Sequence, residues 1–356
     1  MPSPCPSGPN SRSRSSASRC CARSAARPRI DSEGAVGASA GSVAPPAAVL
    51  VLGGSGFLGA HLARAFAARS KQEPGGVLVH AASRSPGPIA PGAQFHAFDA
   101  SLPGALPALL DALAPSLVLN ACAHARLAEC ERAPELAELL NADLPGRLAV
   151  ECRRRGARLV QVSTDLVFGN GAPQRGWRED DRAEPLSVYG RTKLAGEQRV
   201  LEAGGDALVV RLPLLYGDSF GRELGASDAL HAALARGERP RLYVDELRTP
   251  LEVSLAAELV RELARGTQRG LLHVAGPRRL SRHELGLELL AAGGIEPAAA
   301  RARLDAVPRS CDAFAALRPA DAALDTTRAR ELGLYDALGG FEALHMRGLE
   351  RAARRP

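Results

Sequence analysis

The chain reads as an α/β protein built on a doubly wound parallel sheet, and three observations carry that reading. Short apolar runs alternate with helical stretches from residue 46 to about residue 218, the rhythm of strands joined by crossover helices. The first run, residues 47–52, contains no polar side chain, as a parallel strand buried on both faces requires. It leads directly into a glycine-rich turn, Gly53-Gly54-Ser55-Gly56-Phe57-Leu58-Gly59, and then a helix with Leu58, Leu62 and Phe66 on one face.

Strand, glycine turn and helix together suit a dinucleotide pyrophosphate. Glycines let backbone N–H groups approach the phosphates, and the helix N-terminus adds positive potential. A second strand over residues 77–82 ends in Ser83-Arg84. An acidic residue here would suit the ribose hydroxyl of NAD, whereas Arg84 suits the 2′-phosphate of NADP. In so Arg-rich a chain, an unengaged surface arginine is the alternative. A third strand near residues 94–98 leads to Asp99, which either accepts from an adenine amine or merely turns the chain.

Residues 116–120 give a fourth strand, followed by Ala121-Cys122-Ala123, small side chains that leave room for a flat ring. Cys122 is expected as a small buried hydrophobe and His124 as a loop residue. A helical stretch through Leu136, Leu140 and Leu148 precedes a fifth strand, residues 158–162, that delivers Ser163-Thr164-Asp165. Residues 207–211 form a sixth. Beyond Gly217 the rhythm breaks into short helical runs, about residues 226–236, 253–265, 281–292 and 339–352. The expected division is therefore a tail over 1–45, a dinucleotide-binding domain over 46–218 and a smaller α/β lobe over 219–356, some segments of which return to the first domain.

Between the fifth and sixth strands lies Tyr189-Gly190-Arg191-Thr192-Lys193. Residues four apart on a helix share a face, so the phenol and the ammonium are neighbours. A nearby cation favours a phenolate and lowers a tyrosine pKa from about 10, making Tyr189 a usable proton donor near neutral pH. Thr164 is placed to donate a second hydrogen bond to the same substrate oxygen. Only two lysines, Lys71 and Lys193, and four tyrosines occur in the chain, so the pairing is unusual by chance. A lysine kept where arginine is used almost everywhere else indicates a role that a bulky guanidinium cannot fill.

Composition excludes other classes. Of 45 basic residues, six arginines fall within the first 30 positions, and the remaining 39 balance the 39 acidic residues. The basicity belongs to the tail, which argues against a nucleic-acid-binding body. The tail's Arg/Ser-rich, acid-poor composition predicts disorder; it imitates a transit peptide but has no apolar segment of a secretory signal. No apolar run approaches the roughly 18–20 residues of a membrane span. Seven cysteines without C-x-x-C spacing fit a reduced, cytoplasmic setting and no zinc site. There is no G-x-S-x-G elbow and no Gly-Lys-Ser/Thr phosphate loop, so hydrolase and phosphoryl-transfer readings fall away.

These segments together resemble the extended short-chain dehydrogenase/reductases, and within them the dTDP-4-dehydrorhamnose reductase family. The resemblance runs in family order over about residues 47–330. It rests on GGSGFLG (53–59), NACA (120–123), LLNADLPG with Asn141, STDLVFG (163–169) and the Glu179-to-Pro185 spacing. Further matches are YGRTKLAGE (189–197), RLPLLYG (211–217), RTP (248–250) and RPADAALD (318–325). It implies a Rossmann fold binding NADP(H), with NAD(H) as the alternative, at Gly53, Gly56, Phe57, Leu58, Gly59, Ser83, Arg84, Asp99, Ala121, Cys122, Ala123, Tyr189 and Lys193. It implies Tyr189 as proton donor, Lys193 on the nicotinamide ribose and Thr164 polarising the carbonyl. The implied reaction is hydride transfer to the 4-keto group of a nucleotide-linked deoxysugar, with no metal, and a homodimer is left open. A sugar-nucleotide epimerase and an NADP-binding regulatory subunit like that of methionine adenosyltransferase are the alternatives. Leu166 after Asp165 departs from the acidic pair of dehydratases.

Overall fold

The computed structural model describes residues 48–70, 76–171 and 173–353. The tail expected over residues 1–45 and Lys71 lie outside the described residues. The first strand, β1 (Ala48–Leu52), has no exposed residue, and its side chains alternate between two cores. Val49 and Val51 face one side with Leu58, Leu62 and Phe66; Leu50 and Leu52 face the other with Leu106, Leu110 and Leu148. That period of two is why an unbroken apolar run was needed.

In chain order there follow α1 (Phe57–Ser70), β2 (Leu78–Ser83), β3 (Ala93–Ala97), α2 (Ala105–Leu113), β4 (Leu117–Asn120), α3 (Leu144–Arg155), β5 (Arg158–Thr164), α4 (Val188–Ala203) and β6 (Ala207–Leu212). Then come α5 (Val253–Arg265), β7 (Gly270–His273), α6 (Arg282–Ala292) and α7 (Ala343–Ala353). Seven strands pair in the order β7-β6-β5-β4-β1-β2-β3, every pair parallel. The sheet runs outward both ways from β1 and β4, whose adjacent C-terminal ends make the switch point where such folds open a crevice.

The strands begin and end within two residues of their expected limits, but β7 was not foreseen. Its four residues extend the sheet beyond β6, with Leu272 and Val274 in the core shared by α1 and α5. Strand β7 and α5, with nine buried positions, therefore belong to the main sheet although they follow the break in rhythm at Gly217. A separate core gathers Leu230, Leu285, Leu289, Leu304 and Leu349, the body of the smaller lobe. Among the described residues no helix is long and apolar enough to cross a membrane.

Candidate active site

Two glycines set the backbone at the crevice. Gly53 has φ of 75°, and a Cβ there would lie 2.7 Å from the Cys122 nitrogen, so β1 and β4 can end side by side only with glycine at this point. A Cβ on Gly59 would collide with the Gly53 carbonyl, so α1 packs directly on the turn. Asn120 donates to Gln161 Oε1 (2.8 Å) and accepts from the Cys122 amide (3.1 Å), fixing the Ala121–Ala123 segment against β5.

Above this turn is a cleft of about 320 Å³ that brings together Gly53, Gly56, Ser83, Arg84, Asp99 and the Ala121–Ala123 segment. Ser55, Phe98, Leu136 and Leu140 also line it and were not anticipated. Arg84 is exposed at the rim, where its charge is felt by Asp99 and Cys122 across the cleft. Asp99 Oδ1 accepts from the Ser101 hydroxyl (2.7 Å) and amide (2.9 Å), which holds its carboxyl below the usual range. The turn-forming reading of Asp99 thus describes one of its oxygens. Leu58 sends its side chain into the core, leaving only its backbone for a ligand, and Phe57 packs edge-on to His61 with ring centroids 6.3 Å apart.

The second half of the site is carried by α4. Ser187 caps it, accepting from the Gly190 amide at 3.1 Å. A Cβ on Gly190 would strike the Leu166 carbonyl, and one on Gly196 the Asn141 carbonyl. The glycines of YGRTKLAGE thus let α4 lie directly against the end of β5 and the wide helical turn Leu139–Asp143. Asn141 joins these parts: it accepts from the His124 amide (2.9 Å) and donates to the His124 carbonyl (3.0 Å) and Thr192 Oγ1 (3.1 Å).

Thr164, at the end of β5, and Tyr189, in the first turn of α4, lie close enough for the threonine hydroxyl to act on the phenol. Thr164 Oγ1 also donates to Asp165 Oδ1 (3.0 Å) and accepts from the Leu166 amide (3.2 Å). Its one proton is thus directed at Asp165, where the sequence placed it on a substrate oxygen. Lys193 Nζ donates to the Val162 carbonyl at 2.6 Å.

The electrostatics differ from the sequence expectation. Burial pushes the Tyr189 phenol well above its ordinary value, with Asp165 adding to the rise and only the Thr164 hydrogen bond opposing it. Lys193 is itself desolvated, its pKa lowered to about 8 despite Glu197, and its ammonium is turned to the β5 backbone. Neither Lys193 nor Tyr189 lines the cleft itself; Lys193 is linked to it through Cys122, whose thiol senses the ammonium. Cys122, expected as a buried small hydrophobe, is half-buried and lines the cleft; desolvation raises its thiol and favours the protonated form.

Sequence reading missed the buried ionic frame behind these groups. Glu197, one turn beyond Lys193, pairs with Arg211 at 2.7 Å and accepts from Ser163. Arg248 of the RTP segment reaches Asp165 Oδ2 and Glu246 Oε1, each at 3.3 Å, tying the smaller lobe to the Thr164 corner. The signal for Glu197 was its place four residues after Lys193.

A family model described as the RmlD substrate binding domain matches residues 47–338. A dTDP-4-dehydrorhamnose reductase of Mycolicibacterium smegmatis is 33% identical over 231 residues, covering 64% of this chain and 68% of that protein. Methionine adenosyltransferase 2 subunit beta of Bos taurus is 30% identical over 62% of this chain and 66% of its own length, so the chain spans about two thirds of these curated relatives. The crystal structure of dTDP-4-dehydrorhamnose reductase from Bacillus anthracis in complex with NADP shares the fold. Its TM-score is 0.68 at 22% identity, over 86% of this chain and 98% of that one.

Proposed function

The chain belongs to the RmlD substrate binding domain family, and from that membership we propose that it reduces the 4-keto group of a nucleotide-linked deoxysugar with NADP(H). The observation that carries the proposal is the convergence of Thr164 at the end of β5 with Tyr189 and Lys193 of α4, where the threonine acts on the phenol and the ammonium is sensed by Cys122 in the cleft wall. The cleft fits the cofactor: a glycine turn that would tolerate no Cβ, small residues where a flat ring would lie, and an exposed Arg84 at the adenosine end.

Gly53, Gly56 and the start of α1 would hold the diphosphate, Ser83 and Arg84 the adenosine ribose, and Lys193 the nicotinamide ribose. The nicotinamide supplies a hydride when bound. Tyr189 then protonates the sugar oxygen. Its raised pKa keeps the phenol loaded at neutral pH. In the direction of reduction no lysine-induced phenolate is therefore needed. Thr164 orients the phenol, and protonation or rotation of Asp165 releases the threonine proton toward the substrate.

Wild-type protein incubated with NADPH and a panel of nucleotide-linked 4-keto sugars should oxidise NADPH with at least one thymidine-diphosphate sugar. Tight NADPH binding with no turnover across the panel would instead favour the regulatory-subunit reading.

A further inference from the structure

We propose that Arg222 is a phosphate-binding residue of the dinucleotide cleft, reaching over the glycine turn from the loop that follows β6. The loop is built onto α1. His61 Nε2 donates to the Asp218 carbonyl (2.7 Å), the Phe220 ring stacks on His61 with centroids 4.7 Å apart, and the Arg64 guanidinium lies 4.1 Å from the Phe220 ring centre. Ser219 is fully buried and accepts from the Leu224 amide at 3.2 Å. Phe220 and Glu223 hold φ of 58° and 51°, left-handed backbone that costs energy for residues with a Cβ. A strained turn anchored this firmly holds its arginine in one place.

That place is the glycine turn. Arg222 Nη1 donates to the Ser55 carbonyl and Nε to the Ser219 carbonyl at 3.1 Å. A Cβ on Gly87, in the loop after β2, would lie 2.7 Å from Ser55 Cβ and 3.3 Å from Arg222 Nη1. Guanidinium and the loop beyond Arg84 therefore both pack on Ser55 of the glycine turn, which lines the cleft. Nη2 is buried there with no hydrogen-bond partner. Among the described residues no carboxylate pairs with Arg222, whereas the buried Arg211 and Arg248 pair with Glu197 and Asp165.

Arg222 as a whole is half-buried, but a guanidinium with one donor sealed from water, no partner for it and no counter-charge is costly. A phosphoryl oxygen supplies the missing anion, and a planar guanidinium is the side chain best suited to it. The inference rests on the reading of the cleft as a dinucleotide site. Two phosphates could meet the guanidinium: the diphosphate bridge and the 2′-phosphate of NADP.

Dissociation constants for NADPH and NADH, measured by titration on the full chain, test it together with the melting temperature without nucleotide. Arg222→Ala should weaken NADPH about 10- to 100-fold, the worth of one charge-assisted hydrogen bond. Its melting temperature without nucleotide should be unchanged or higher, because an uncompensated charge has gone. Arg222→Gln, which keeps a donor for the backbone carbonyls, should show the same loss. NADH weakened equally identifies the diphosphate, and NADH unaffected identifies the 2′-phosphate. Unchanged affinity for both nucleotides in either variant overturns the proposal, as does a lower melting temperature with affinity intact. Wild-type protein that binds neither nucleotide would overturn the cofactor reading beneath it, and the proposal with it.

Discussion

Thr164 donates its only hydroxyl proton to Asp165 Oδ1, 3.0 Å away, so the protonation state of this carboxyl governs where the threonine proton points. While Asp165 is ionised, Thr164 keeps its proton on the carboxylate and accepts from the Leu166 amide. Once Asp165 carries a proton, the acid donates to Thr164 and the threonine proton is free. Burial raises the Asp165 carboxyl, which moves that switch toward neutral pH, and Arg248 opposes it. Asp165→Asn, with an amide that donates to Thr164 permanently, should retain activity and flatten the decline of kcat on the alkaline side of the Asp165 titration. A variant with an unaltered pH–rate profile would remove Asp165 from this role.

Tyr189→Phe removes the proton donor and leaves the cleft lined as before. Its kcat should fall by ~10²–10⁴-fold, the usual worth of a general acid, while NADPH affinity stays within a factor of about two. Parallel kcat measurements and nucleotide titrations check this. Turnover at the wild-type rate would exclude the phenol.

Lys193 makes a pH-dependent contribution to stability that can be signed. Its folded pKa is lowered to about 8 from 10.5, so between these values the unfolded chain binds the extra proton. Stability owed to this group therefore rises with pH from about 8 to about 10.5, by at most about 3 kcal/mol. Lys193→Met abolishes that rise. Urea unfolding of both proteins from pH 7.5 upward should show the variant's advantage shrinking with pH, and a constant difference would contradict the buried-ammonium description.

Arg84 stands exposed beside Ser83 and Asp99 at the adenosine end of the cleft. Arg84→Asp should weaken NADPH by about 10-fold or more relative to NADH, since a carboxylate repels the 2′-phosphate and accepts from a ribose hydroxyl. Equilibrium titration with both nucleotides gives the ratio. An unchanged ratio would assign the reading of the 2′-phosphate elsewhere.

The sheet from β1 to β6 was legible because strands buried on both faces admit only apolar residues, and glycine turns have few substitutes. Strand β7 escaped because four residues after a polar turn carry no periodicity, and its paired residues on β6 lie 62 positions earlier. Tyr189, Lys193 and Thr164 were findable from spacing on one helix and one strand end. Their protonation was not: the Tyr189 phenol is governed by burial, Thr164 and Asp165, which spacing along one helix does not reveal. Arg222 left no trace in the sequence, where it is one of 45 basic residues; what marks it is a missing partner in three dimensions.

The most direct measurement follows the hydride itself. Wild-type protein supplied with NADPH deuterated at the transferable position of the nicotinamide, and with a thymidine-diphosphate-linked 4-keto-6-deoxysugar, should give product carrying deuterium at C4. Consumption of the ketone without label at C4, or no consumption by a protein that binds both molecules, would contradict the account.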